Sequence, residues 1–231
     1  MSIWVVAFDI GKKNFSWCIE EYNPSSLVSI SNIPEKRRYN EDGTCTAEME
    51  GVLNKVFKNG KIILHKNVDL TANCDSKKKL DPETFHNMID IMDQYVEYWD
   101  KCSIILIEEQ MHFGKKLNLM AVKLAQHCYS YFTFKYGRYK PIIEFPAYHK
   151  TQVLGAYKIV GKPYKNGRTR YKAMEKPARK KWAVEKALEI LKMRGEAEII
   201  SKSKKKDDLA DTFLMINAYK YLAYVDKFYS Q

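Results

Sequence analysis

Ile3-Trp4-Val5-Val6-Ala7-Phe8-Asp9-Ile10-Gly11-Lys12-Lys13-Asn14-Phe15-Ser16-Trp17-Cys18-Ile19 is the stretch from which the fold can be read. Ile3 to Phe8 is a continuous apolar run rich in β-branched residues, the pattern of a strand buried on both faces. Past Gly11 the pattern alternates, with Phe15, Trp17 and Ile19 on one face and Asn14, Ser16 and Cys18 on the other. The two strands therefore form a hairpin with Gly11 in its turn. Lys61 to Leu70 suits a third strand, and Cys102 to Ile107 is a second fully buried one. Ile142 to Phe145, after Pro141, is a further short strand. Asp81-Pro82-Glu83 opens a helix expected to run to about Asp100. Leu117, Met120, Ala121, Leu124, Cys128, Tyr131 and Phe132 recur at helical spacing. Val184 to Leu191, closed by Gly195, and Leu209 to Tyr219 mark two more helices. The order predicts an α/β fold around a mixed five-stranded sheet with flanking helices, as one domain over 1–231. Insertions are expected at about 31–60 and 157–178.

The chain has 231 residues, 45% of them hydrophobic, which is ample for a packed core. Its 39 Lys and Arg against 28 Asp and Glu leave a formal charge of +11, which points to a polyanionic partner such as nucleic acid. No apolar run approaches the ~20 residues of a membrane-spanning helix. No secretory signal is read at the N-terminus, and the five scattered cysteines suit reduced thiols of an intracellular protein. The histidines show no zinc spacing.

Four carboxylates stand at informative places. Asp9 ends the first buried strand and Glu108 the second, while Asp208 and Asp211 lie three apart on one face of the last helix. Acids at the ends of buried strands gather at one edge of a sheet, where α/β folds place their sites. Close carboxylates repel one another and need a cation, and hard oxygen ligands suit Mg²⁺ or Mn²⁺. Two such ions per site would activate a water and stabilise the leaving oxygen in phosphodiester cleavage. Each acid alone also fits a plainer role, Asp9 as a turn residue and Asp208 and Asp211 as helix N-terminal charges. Of Glu108 and Glu109, strand alternation lets only one face the site.

Ala7-Phe8-Asp9-Ile10-Gly11, Leu106-Ile107-Glu108-Glu109-Gln110 and Lys206-Asp207-Asp208-Leu209-Ala210-Asp211 resemble the three acidic motifs of RuvC-type Holliday junction resolvases, in particular those of poxviruses and other large DNA viruses. The resemblance implies a ribonuclease H-like fold, a homodimer, and metal-dependent resolution of four-way and branched DNA in recombination and repair. It also implies that Asp9, Glu108, Asp208 and Asp211 are the metal ligands, with Glu109 turned away. Phe145-Pro146, Lys150, Val153 and Gly155 resemble the segment after the family's fifth strand. The family's next helix opens with an active-site lysine, matched here by Lys181, counted back three from Val184, or else by Lys180. For a viral chain, the resemblance implies action in a cytoplasmic replication factory.

From Tyr157 to Lys181 ten cations (Lys158, Lys162, Lys165, Arg168, Arg170, Lys172, Lys176, Arg179, Lys180 and Lys181) face one acid, Glu175. Tyr157, Tyr164 and Tyr171 are interleaved at a spacing of seven, and Pro163, Gly167 and Pro177 break any helix. Such a flexible arm suits phosphate contacts and stacking on an unpaired base, with a solvated loop as the plainer alternative. Lys135, Arg138 and Lys140 extend its character, and Lys202, Lys204, Lys205 and Lys206 set a second basic run before Asp207. Two rival readings stand beside the nuclease. Asp9-Ile10-Gly11-Lys12-Lys13-Asn14 also resembles the first phosphate loop of actin-like ATPases and sugar kinases, but no second Asp-x-Gly loop follows. A junction-binding protein without catalysis is the other.

Overall fold

The computed structural model describes residues 1–74, 81–110, 118–203 and 205–229. Strands β1 (Ile3–Asp9) and β2 (Phe15–Tyr22) form an antiparallel hairpin that sets Asp9 opposite Ser16. Helix α1 (Pro24–Val28), capped by Asn23, and a 3-10 turn (Glu35–Arg37) lead to α2 (Ala47–Lys58) and β3 (Lys61–Val68). Next come α3 (Pro82–Gln94), α4 (Val96–Lys101), β4 (Cys102–Glu109), α5 (Leu119–Tyr136), β5 (Ile142–Pro146) and α6 (Tyr148–Val153). The last part holds β6 (Ile159–Val160), β7 (Tyr171–Lys172), α7 (Lys176–Arg194), α8 (Glu198–Ser201) and α9 (Lys206–Lys220).

Among the described residues β1 to β5 make one mixed sheet in the order β3-β2-β1-β4-β5. The pairs β3/β2 and β2/β1 are antiparallel, and β1/β4 and β4/β5 are parallel, as the sequence pattern requires. Alternation along β1 and β4 divides the core. Val6, Phe8, Ile105 and Ile107 pack beneath α3 and α5, and Val5, Ala7 and Leu106 beneath α7 and α9. Helix α9 lies at the centre of the second core: every residue from Leu209 to Lys220 except Asp211 is buried. His65 on β3 pins it, with Nε2 2.8 Å from the Leu209 carbonyl and 3.1 Å from Thr212 Oγ1. Burial pushes His65 down to about 4, so the ring stays neutral.

Three expectations need correction. The helix opened by Asp81 does not run on to Asp100. It ends at Gln94, because Tyr95 leaves helical geometry at φ −111°, ψ 16° to pack its ring on Trp17 and Trp99. The 31–60 segment is not merely an insertion, since α2 buries Met49, Leu53, Val56 and Phe57 in the second core. That spacing makes one apolar helix face, and Thr46 caps it. The basic stretch is not irregular: β6 and β7 pair as a hairpin, extended by Gly161 N to Arg170 O at 2.7 Å and Tyr164 N to Arg168 O at 3.0 Å. Leu117 lies outside the described residues, and α5 starts after the Asn118 cap.

A polar cluster is sealed into the second core. Glu20, on the inward face of β2, receives Arg194 at 3.2 Å and the Lys220 ammonium. Arg194 also donates to Asn217 Oδ1 at 3.0 Å, and Lys220 to the Asn59 carbonyl at 2.8 Å. Burial works against the Glu20 carboxylate, but the two cations hold it below its ordinary range. Burial, and then the neighbouring Arg194 charge, push Lys220 down to about 8 although Glu20 pulls the other way. The cluster ties β2 to the C-terminal ends of α7 and α9. Among the described residues no helix is long and apolar enough to cross a membrane.

Candidate active site

Asp9 closes β1 on the face that carries Ala7, and Glu108 lies at the end of β4 on the face that carries Leu106. Because β1 and β4 are parallel neighbours, the two carboxyls meet and share a hydrogen bond. Helix α9 presents Asp208 and Asp211 to the same edge from its first two turns, and Ser16 Oγ steadies that turn by donating to the Asp208 carbonyl at 3.3 Å. All four acids line one cleft of about 1110 Å³.

Lys150, on α6, stands at the centre of this group. Its ammonium is 2.8 Å from Glu108 Oε1 and 3.1 Å from Asp211 Oδ1, and the residue is only 6% exposed. Burial disfavours its charge, but Glu108, Asp211 and Asp9 outweigh burial and hold it protonated. Burial, followed by the charges of Glu108 and Asp211, pushes Asp9 well above the carboxylate range. Glu108 meets the same burial, but Lys150 and the Asp9 hydrogen bond bring it below its ordinary value. Burial and acidic neighbours thus disfavour charge on Asp9, while Lys150 favours it on Glu108. Burial and then Asp207 push Asp208 up, and its Oδ2 is buried without a hydrogen-bond partner.

Among the described residues no three His, Cys, Asp or Glu side chains are gathered tightly enough to ligate an ion as they stand. The chemistry of the group nevertheless fits a hard divalent cation. Its donors are all carboxylate oxygens, one of them unsatisfied. The single charge of Lys150 balances the acids only in part.

Strand alternation puts Glu109 on the opposite face of β4 from Glu108, yet it too lines the cleft, within the electrostatic reach of Tyr229. Lys181 does not reach the acids: it is 79% exposed and lies 3.8 Å from Glu185. The core register of α7 is set by Ala183, Ala187, Ile190 and Leu191, so counting back three from Ala183, rather than Val184, gives Lys180. Lys180 lines the cleft, pairs with Asp207 and feels Asp208 and Asp211. Lys150 carries no periodic signal, and only the likeness of its segment to a known one marked it.

Of the proposed DNA contacts, Lys158 and Lys180 line the cleft. Lys162, Tyr164, Lys165, Arg168, Arg170, Tyr171 and Lys172 belong to the β6–β7 hairpin or its loop. Arg170 lies 5.6 Å above the Tyr164 ring, which is itself more than half exposed. Lys172 lies 3.6 Å from Glu175. Lys205 precedes α9, and Lys204 lies outside the described residues. Lys140 serves the fold instead, donating to the Trp99 and Asp100 carbonyls at 2.6 and 2.7 Å and lying over the Tyr136 ring. Lys12, part of the phosphate-loop resemblance, is 3.7 Å from Asp81.

No family model matches the chain. It is 32% identical over 97% of its length to uncharacterized protein 170L of Invertebrate iridescent virus 6, covering 92% of that protein. Protein 97L of Invertebrate iridescent virus 3, also uncharacterized, is 30% identical over 94% of the chain and 98% of its own length. In structure the chain is similar to the Fowlpox virus resolvase, solved with its substrate Holliday junction DNA. The TM-score is 0.53 at 14% identity, over 96% of this chain and 99% of that one. Thermus thermophilus RuvC gives a TM-score of 0.50 at 11% identity, over 96% and 97%. With relatives at this identity and coverage, the chain belongs to the family of the iridescent virus proteins 170L and 97L, and its fold is that of the RuvC-type resolvases.

Proposed function

We propose that this protein is a divalent-metal-dependent endonuclease that resolves four-way DNA junctions. The observation that carries the reading is the meeting of Asp9, Glu108, Asp208 and Asp211 around Lys150 in a cleft beside a basic hairpin. The four acids would hold Mg²⁺ or Mn²⁺, two ions per site, which when bound activate a water and stabilise the leaving oxygen. Lys150 pairs with Glu108 and Asp211, and Lys180 adds a cation at the edge where a phosphate would enter. The hairpin cations grip phosphates along the DNA arms, and the exposed Tyr164 ring accepts an unpaired base. A four-way junction carries symmetry-related strands, so paired incisions need two sites, which a homodimer supplies. For a protein with iridescent virus relatives, this activity belongs where viral DNA is replicated.

The test is incubation of a synthetic four-way junction with the protein in Mg²⁺, Mn²⁺ or EDTA. Paired nicks are expected with either metal and none in EDTA. Asp9→Asn is expected to abolish cleavage while leaving junction binding nearly intact, because binding rests on Lys and Arg. Cleavage by Asp9→Asn at the parental rate refutes the site, and tight binding without cleavage by the parent identifies a junction-binding protein instead.

A further inference from the structure

The basic hairpin does not leave the cleft unsupported. A turn at residues 39–45 sits against the segment 153–158 from which the hairpin rises. The turn is itself rigid: Asn40 N donates to the Thr44 carbonyl at 2.8 Å, and Asp42 Oδ1 accepts from Thr44 N at 3.0 Å and from Thr44 Oγ1 at 2.7 Å. It touches the hairpin stem at successive points. Tyr39 Oη donates to the Val153 carbonyl at 3.0 Å, and Lys158 N donates to the Asp42 carbonyl at 2.6 Å. Two left-handed glycines let the backbones close. A Cβ on Gly43 (φ +86°) would come 3.2 Å from the Ala156 carbonyl oxygen, and one on Gly155 (φ +75°) would come 2.4 Å from Cys45 Sγ. Tyr39, Asn40 and Gly43 also line the cleft that holds the carboxylates.

We propose that the 39–45 turn is the seat of the basic hairpin, fixing its direction over the cleft and thereby which phosphodiester meets the acids. The inference rests on the nuclease reading and deepens it. The contacts join the stem at Val153, three residues past Lys150, to Lys158, the first cation of the arm. A hairpin anchored at both places holds the phosphates it grips at a set distance from the site. The turn is thus a positioning element, distinct from the acids and from Lys150.

The test uses Gly155→Ala, the double variant Gly155→Ala/Cys45→Ala, and Gly51→Ala as a control in α2, where a Cβ meets nothing within 4 Å. In the DNA-free protein Gly155→Ala is expected to raise tryptic cutting at Lys165, Arg168 and Arg170 severalfold, with the circular dichroism of the core unchanged. On a labelled junction it is expected to spread the cuts over several phosphodiesters and to lower the salt slope of binding by up to about 3 as hairpin contacts are lost. Cys45→Ala removes the Sγ that the new methyl strikes but leaves the left-handed backbone and Cys45 N at 3.0 Å, so the double variant is expected to regain part of the protection and of the parental cut position. Gly51→Ala is expected to match the parent throughout.

Parental trypsin resistance and an unshifted cut in Gly155→Ala overturn the seat. A loss that Cys45→Ala does not recover even in part assigns the effect to backbone strain at Gly155 and overturns it equally. If the parent cuts no junction, the nuclease reading fails, while the trypsin comparison still decides whether the turn holds the hairpin.

Discussion

Replacing Lys150 by Met removes the only cation in direct contact with Glu108 and Asp211 among the described residues, while keeping most of the side-chain volume. Lys150 is 6% exposed, so water cannot take over the role of its ammonium. Removing one partner of a buried ion pair typically costs ~3–5 kcal/mol, because the other charge is left uncompensated. In a chain of this size 1 kcal/mol moves Tm by about 2–4 °C, so the fall expected in EDTA is roughly 6–20 °C. The pH dependence follows from Glu108. Its folded pKa is depressed by Lys150, so in the parent it contributes stability above its ordinary value of 4.5 that is lost as pH falls. Without Lys150 that contribution turns into a penalty. The gap between parent and variant should therefore be wide near neutral pH and close in acid, where the carboxyls take up protons. Thermal unfolding followed by circular dichroism in EDTA, across that pH range, measures it. Added Mg²⁺ should narrow the gap, because a divalent ion supplies the missing charge. Equal Tm for parent and variant at neutral pH in EDTA would refute the account of Lys150 as the internal counter-ion of the acids.

Glu108→Gln should lose cleavage and Glu109→Gln should keep most of it in a junction-nicking assay; the opposite result means the end of β4 is displaced by one residue, which flips every side chain. Glu20→Gln should destabilise the fold by ~3–5 kcal/mol in urea titrations, as it strands Arg194 and Lys220 without an anion. That penalty should be largest near neutral pH and shrink in acid, where the parent's Glu20 also takes up a proton; a pH-independent loss contradicts the assignment. Changing Lys165, Arg168 and Arg170 together to Ala should lower the salt slope of junction binding by up to ~3, read by fluorescence anisotropy at several salt concentrations. An unchanged slope makes the hairpin a solvated ornament.

The sheet was legible because its signals are local. The run Ile3 to Phe8, the alternation after Gly11 and the run at Cys102 each state how many faces are buried, and strand order follows from few alternatives. The acids were legible through position, since Asp9 and Glu108 each end a buried strand. Lys150 was not, because a buried lysine has no periodicity and its role depends on carboxylates far away in the sequence. The choice between Lys180 and Lys181 failed on helix register, where a slip of one residue turns a side chain by about 100°. Tyr95 broke a helix that local capping signals would have continued, because two tryptophans claim its ring. The same holds for Glu20: its place on the inward face follows from alternation, but its two cations come from the ends of α7 and α9.

Asp9, Glu108 and the Asp208–Asp211 pair are spread almost evenly from one end of the chain to the other, and α9 must slide between the sheet and α7 before the last two arrive. A chain still emerging from the ribosome, or one cut short between the hairpin and α9, holds the hairpin cations and half the acids but no complete site. Contacts of such long sequence separation form late and together. On the nuclease reading proposed above, DNA grip precedes cutting power during synthesis, and cleavage waits for the final helix to dock.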